Sequence, residues 1–199
     1  MGWRTMKGFI LGCSHSGTTW AAEALHLSTD LVAWHESMKK ELGKGFHGVE
    51  SNGNFWHRAG EIAERWPQAA IVHLVRDGQK VVRTLMVKHS PSFFEQACRR
   101  WTSRNEKMYV DICPNMRYRL EDLTTDFKVF RSFATRLGAT HVNRGRWERI
   151  RTVLVNGTLA EAKARFPAYE GWTEEQRTMF WRICGEMMVM CRYGGRKDG

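Results

Sequence analysis

The stretch Gly8-Phe9-Ile10-Leu11-Gly12-Cys13-Ser14-His15-Ser16-Gly17-Thr18-Thr19-Trp20 joins a short apolar run to a loop of small residues. The run over Lys7–Gly12 reads as a buried strand. Gly17–Leu27 then reads as a helix with Trp20, Ala21, Ala24 and Leu25 facing inward. A strand, a glycine loop and a helix in that order cradle a phosphate with backbone N–H groups and a helix N-terminus. The spacing approaches the phosphate-binding pattern G-x-x-x-x-G-K-[ST]. Gly12 and Gly17 keep the glycine positions and Thr19 fills the Ser/Thr place, but Thr18 stands where the lysine belongs. Such a loop still wraps a phosphate, yet it is poorly equipped to hold the β- and γ-phosphates of ATP with magnesium. The pattern predicts a phosphate-bearing ligand that is not a triphosphate.

Working outward, Leu31–Trp34 reads as a second short strand. Lys39–Asn54 is polar and carries Gly43, Gly45, Gly48 and Gly53, which predicts a loop over a site. Phe55–Trp66 looks helical and stops before Pro67. Ala69–Val75 is a near-continuous apolar run, as in strands buried on both faces of a parallel sheet. Asp77 is placed to cap a helix over Gln79–Lys88. Pro91 opens a further helix to about Val110, Met116–Leu120 reads as a strand, and Asp126–Leu137 as a helix ended by Gly138. Thr173-Glu174-Glu175-Gln176 is a capping-box pattern opening a last helix to about Met190. Strands alternating with helices predict an α/β fold, a three-layer sandwich with a central parallel β-sheet flanked by helices. No repeat or linker divides residues 1–199, so one domain is expected.

The 199 residues are 42% hydrophobic, enough for one real core, and the net charge is +10. That charge favours an anionic partner without choosing among nucleic acid, acidic membrane, nucleotide or a sulfated or phosphorylated molecule. The start, Met1–Lys7, is polar and resembles no secretory signal, and no run approaches the ~20 apolar residues of a membrane span. Cys13, Cys98, Cys113, Cys184 and Cys191 are odd in number and form no C-x-x-C pair, which argues against a zinc site or disulfide scaffold and for a reducing cytoplasm.

Three segments resemble one family, the sulfotransferases that use 3′-phosphoadenosine-5′-phosphosulfate (PAPS). Ser16-Gly17-Thr18-Thr19-Trp20 resembles their 5′-phosphosulfate loop, P-K-S-G-T-T-W. The run from Val75 to Thr84 resembles their 3′-phosphate motif, which has an arginine, then Asp or Asn, then usually Pro, with a serine eight places after the arginine. Arg76 and Asp77 fit, Gly78 replaces the proline, and Thr84 takes the serine's place. Tyr118-Arg119-Leu120-Glu121-Asp122-Leu123 is similar to the family's R-Y-E-D-L strand end, and Trp172–Tyr193 to the closing helix of many bacterial members.

The resemblance implies a P-loop NTPase-like fold and sulfuryl transfer from PAPS to an acceptor hydroxyl or amine, a small molecule or carbohydrate. It also implies cofactor contacts from Ser14, His15, Ser16, Gly17, Thr18, Thr19, Trp20, Arg76 and Thr84. The 5′ group suits the N-terminus of the first helix, and Arg76 can fork onto the 3′-phosphate. Hydrogen bonds and cations supply the charge stabilisation, so the scheme requires no metal. Asn143-Arg144-Gly145-Arg146-Trp147 resembles a shortened R-K-G-x-x-G-D-W loop, which makes Arg144 a further candidate contact.

One position departs. His15 stands where the family has a lysine or arginine that stabilises charge on the leaving phosphate. A protonated His15 performs that role, and a neutral one still donates one hydrogen bond. Transfer also needs a base for the acceptor's proton. The family uses a histidine or glutamate, and Glu36, then His35, are the candidates here, just after the second strand. His47, Glu50, Ser51 and Asn52 are placed to meet the acceptor, whereas His73 reads as a core histidine. Two other readings stay open: a kinase-like phosphotransferase, and a catalytically weak basic protein of the same fold that binds anions or nucleic acid. Nucleic acid is the less favoured partner.

Overall fold

The computed structural model describes residues 6–38, 48–88, 91–153 and 166–194. Its five strands are β1 (Met6–Gly12), β2 (Ala33–His35), β3 (Gly48–Asn52), β4 (Ala70–Val75) and β5 (Arg117–Arg119). They form one sheet in the order β2-β3-β1-β4-β5, with every neighbouring pair parallel. Ile10 in the middle of β1 stands opposite Ser51 of β3 on one side and Val72 of β4 on the other. Phe9, Ile10 and Leu11 are fully buried, as the apolar run requires of a central strand covered on both faces.

The helices are α1 (Thr18–Ser28), α2 (Ala59–Arg65), α3 (Gly78–Lys88), α4 (Phe94–Asp111), α5 (Leu120–Thr125), α6 (Phe127–Arg136), α7 (Arg144–Ile150) and α8 (Glu174–Met190). The two-residue period of the strands divides their side chains between two helical layers. Ile10, Val49, Val72, Leu74 and Tyr118 face Leu25 of α1, Phe130 and Phe133 of α6 and Trp147 of α7. Phe9 and Leu11 face Phe55, Ile62 of α2 and Met108 of α4. A third cluster around Trp101, Phe180 and Met187 ties α3, α4 and α8 together. Each fully buried Leu or Phe stabilises this sandwich by about 1.5–3 kcal/mol. The layers are therefore helix, parallel sheet, helix, as the alternation predicts.

Local signals act where the sequence puts them. Thr173 and Gln176 close a reciprocal capping box on α8. Asp126 caps α6 through Lys128 N, and Gly138 beyond its end has φ 94°. Asp77 Oδ1 accepts from Gln79 N at 2.9 Å at the start of α3.

Three expectations change. Residues 48–52, read as loop, form the strand β3, while 39–47 lie outside the described residues. Of Phe55–Trp66 only Ala59–Arg65 is helical. The segment from Asn143, read as a ligand-closing loop, is the capped start of α7, where Asn143 Oδ1 accepts from Arg146 N. Among the described residues no helix is long and apolar enough to cross a membrane. The five cysteines are free, and all but Cys113 are buried.

Candidate functional site

The connection from β1 to α1 is built on two left-handed residues, His15 at φ 67° and Gly17 at φ 95°. Ser16 N donates to Cys13 O at 3.1 Å and closes the turn. A Cβ on Gly12 would stand 2.2 Å from Ser16 Oγ and 2.8 Å from Leu74 O, and one on Gly17 would stand 2.6 Å from Leu120. No side chain fits at either place, which is the physical content of the glycine spacing. Gly17 caps α1 without a side-chain acceptor. The N–H groups of Thr18, Thr19 and Trp20 are thus first-turn donors with no intrahelical partner, at the positive end of the helix dipole.

Other strand ends converge on this loop. At the end of β2, His35 Nε2 lies 3.1 Å from Thr19 Oγ1 and 3.3 Å from Thr18 Oγ1. Glu36 follows in a left-handed conformation, φ 51°, with its N–H donating to Ser51 O at 3.1 Å and its carboxylate 3.9 Å from His35 Nε2. A Cβ on Gly53 would lie 3.7 Å from Gly12 O, 3.8 Å from Glu36 Oε1 and 3.8 Å from Thr18 Oγ1. The Glu36 carboxylate and the first turn of α1 therefore flank the bare backbone of Gly53. At the end of β4, Arg76 Nη1 donates to His15 O at 3.0 Å. All these residues sit at the carboxyl edge of the sheet, where the strand order runs outward from β1 in both directions; open α/β sheets bind ligands at such edges.

Arg104 of α4 also reaches the loop: its Nη1 donates to Ser14 Oγ at 2.6 Å, and its guanidinium lies 5.4 Å from the Trp56 ring centroid. Burial, and then Arg100, push its pKa down, but a guanidinium keeps its charge. Beneath the loop Cys13 is held as a thiol, with burial raising its pKa to about 11. Sequence reasoning passed over Arg104. The available signal was Asn105, a polar residue in the buried stripe Ala97, Trp101, Asn105, Met108 of α4, which marks where that helix meets polar structure.

Several expected contacts are placed elsewhere. Trp20 turns into the core, its indole donating to Ile150 O at 3.2 Å and packing edge-on to Phe130, so only its backbone faces the loop. The Ser16 hydroxyl is fully buried under the loop, beside Gly12, with no hydrogen-bond partner. Thr84 Oγ1 donates to Lys80 O at 2.8 Å within α3, which leaves its oxygen as an acceptor. Arg144 pairs with Glu148 at 2.9 Å. Asn143 N donates to Ser28 O at the far end of α1, and α1 has 11 residues, so Arg144 stands about 16 Å from the loop. Glu50 is fully buried, accepting from the Ser37 hydroxyl and from Asn52 Nδ2 at 3.0 Å; burial pushes its pKa up. Ser51 Oγ donates to Thr18 O at 2.8 Å and fastens β3 to α1. His47 lies outside the described residues.

No protein-family model matches the chain, and a search of curated proteins finds no match to it. Among the described residues, no group of three His, Cys, Asp or Glu side chains is placed to hold a metal ion.

Proposed function

We propose that this chain is a PAPS-dependent sulfotransferase on a P-loop-like fold, transferring a sulfuryl group to a hydroxyl or amine of a small molecule or carbohydrate. One observation carries the reading: the Arg76 guanidinium is hydrogen-bonded to the loop at His15 O. It joins the two segments that resemble the 5′-phosphosulfate and 3′-phosphate motifs. A ligand with two separate anionic groups can then span the first turn of α1 and Arg76. The glycine spacing supports the same fit: at Gly12 and Gly17 a side chain would collide with Ser16, Leu74 and Leu120, so only glycine lets the loop close tightly before the first turn of α1.

PAPS would supply the sulfuryl group. In this reading the N–H groups of Thr18, Thr19 and Trp20 hold the phosphosulfate, with the Thr19 hydroxyl beside them, and Arg76 holds the 3′-phosphate. Arg104 and His15 together occupy the role of the single loop cation, stabilising charge as it builds on the leaving phosphate. Glu36 takes the acceptor's proton, and His35 fixes the threonine hydroxyls that face it. Buried free thiols accord with a reducing cytoplasm.

Retention on immobilised adenosine 3′,5′-bisphosphate tests the class. The protein is expected to bind and to be eluted by free bisphosphate, not by ATP; Arg76→Ala is expected to lose retention. Elution by ATP with magnesium alone favours a phosphotransferase. Retention that is unchanged in Arg76→Ala removes the 3′-phosphate assignment.

A further inference from the structure

Glu50 is fully buried in β3, so its carboxylate meets neither cofactor nor acceptor. Three donors nevertheless converge on it. The Ser37 hydroxyl donates to Oε2, and the Met38 N–H donates to the carboxylate as well. Asn52 donates its side-chain amide to Oε1 at 3.0 Å. The orientation of that amide is fixed independently: Asn54 N donates to Asn52 Oδ1 at 2.9 Å, so the nitrogen is the atom turned toward Glu50. An ionised carboxylate only accepts and has about four lone-pair sites, which is what three donors require.

These donors belong to two turns of the candidate site. Ser37 and Met38 follow Glu36, the proposed base, and Asn52 and Asn54 flank Gly53. Glu36 has φ 51°, a left-handed conformation that a residue with a side chain keeps only where its surroundings hold it. β3 supplies the hold for three residues running. Ser51 O accepts from Glu36 N at 3.1 Å, and Glu50 accepts from Ser37 and Met38. On its other side Glu50 holds Asn52, whose oxygen closes the turn over Gly53. A Cβ on Gly53 would lie 3.8 Å from Glu36 Oε1 and 3.8 Å from Thr18 Oγ1. One buried carboxylate therefore ties the turn that carries the base to the turn that the base faces.

We propose that Glu50 is a positioning residue: its carboxylate holds the Glu36 turn against the Gly53 turn, and it acts on sulfuryl transfer only through Glu36. This rests on the reading of Glu36 as the base.

Glu50→Gln tests it with the shape of the side chain kept. Glutamine offers one oxygen to three donors, and its nitrogen turned toward Met38 or Asn52 meets another N–H. Hydrogen exchange followed by mass spectrometry reads the clamp without any reaction. Peptides covering 36–38 and 52–54 are expected to exchange at least about tenfold faster in Glu50→Gln, with β1 and β4 unchanged. Unchanged exchange in those turns overturns the proposal. If Glu50→Gln does not fold, Ser37→Ala carries the same test at 36–38, because it removes one donor from a half-buried position.

Single-turnover transfer from PAPS reads the purpose of the clamp. Glu50→Gln is expected to slow the parent about 10–100-fold, the scale of a small misplacement of a catalytic group, with bisphosphate affinity kept within about twofold. In a Glu36→Gln background the same change is expected to cost less than about twofold, because nothing is left to position. Equal losses in both backgrounds, or a fall in bisphosphate affinity, overturn the proposal. If the parent neither binds bisphosphate nor transfers, the sulfotransferase reading fails instead, and exchange alone decides whether Glu50 holds Glu36 in place.

Discussion

Arg104 on α4 donates to Ser14 Oγ at 2.6 Å, bringing a guanidinium from the helix layer to the loop beside His15. On the proposed sulfotransferase reading, Arg104 supplies the cation that the loop sequence lacks. Arg104→Ala is expected to lower kcat for PAPS-dependent transfer about 100-fold, the scale of losing one charge-stabilising donor. Arg104→Lys is expected to restore only part, because an ammonium cannot both stack on Trp56 and fork toward the loop. Steady-state kinetics on variants with unchanged thermal melts measure both. An unaltered kcat in Arg104→Ala would remove Arg104 from the charge-stabilising role.

Glu36 is held across Gly53 from Thr18, partly exposed and beside His35. Glu36→Gln is expected to keep bisphosphate affinity within about twofold while slowing single-turnover transfer by about 10²–10⁴, the range for loss of a general base. Calorimetry and rapid quench separate the two effects. If affinity falls with the rate, the carboxylate builds the loop and does not take the proton.

Gly53 and Gly12, at the ends of neighbouring strands, make opposite predictions. Alanine at Gly53 meets its neighbours at ordinary contact distances of 3.7–3.8 Å. Gly53→Ala is therefore expected to change stability by under ~0.5 kcal/mol and to raise the acceptor KM, because the methyl stands between Glu36 and Thr18. Alanine at Gly12 meets Ser16 Oγ at 2.2 Å and Leu74 O at 2.8 Å, and is expected to cost about 1–3 kcal/mol as overpacking. Urea titration and acceptor kinetics together check the pair; a folded, fully active Gly12→Ala protein would contradict the packing of the loop.

The sequence made β1, β4, the capped helices and the loop legible because their signals are local: apolar runs, glycine spacing, a reciprocal cap. β3 was hidden because its residues, Gly48-Val49-Glu50-Ser51-Asn52, look like a polar loop yet are all buried. Glu50 and Asn52 satisfy each other, and Ser51 is engaged by Thr18 O, so the polar groups are matched only in the assembled sheet. Arg104 was hidden for the same reason, since its partner Ser14 lies 90 positions earlier in the chain. The place of Arg144 was not legible because a motif gives residue types, whereas α7 runs back along α1 and carries its start to the end of α1 away from the loop.

His73 gives a prediction that is independent of any ligand. Burial lowers its pKa from 6.5 to about 4, so between those values the unfolded chain takes up a proton that the folded one excludes. The stability contributed is fully present above pH 6.5 and is lost as pH falls to about 4, a change of about 3 kcal/mol. His73→Gln keeps a donor for Asn105 and does not titrate. Urea unfolding of both proteins from pH 7.5 to pH 4 is expected to show the parent losing about 3 kcal/mol relative to the variant, with the slope confined to that window. Parallel curves would mean that the folded ring accepts the proton.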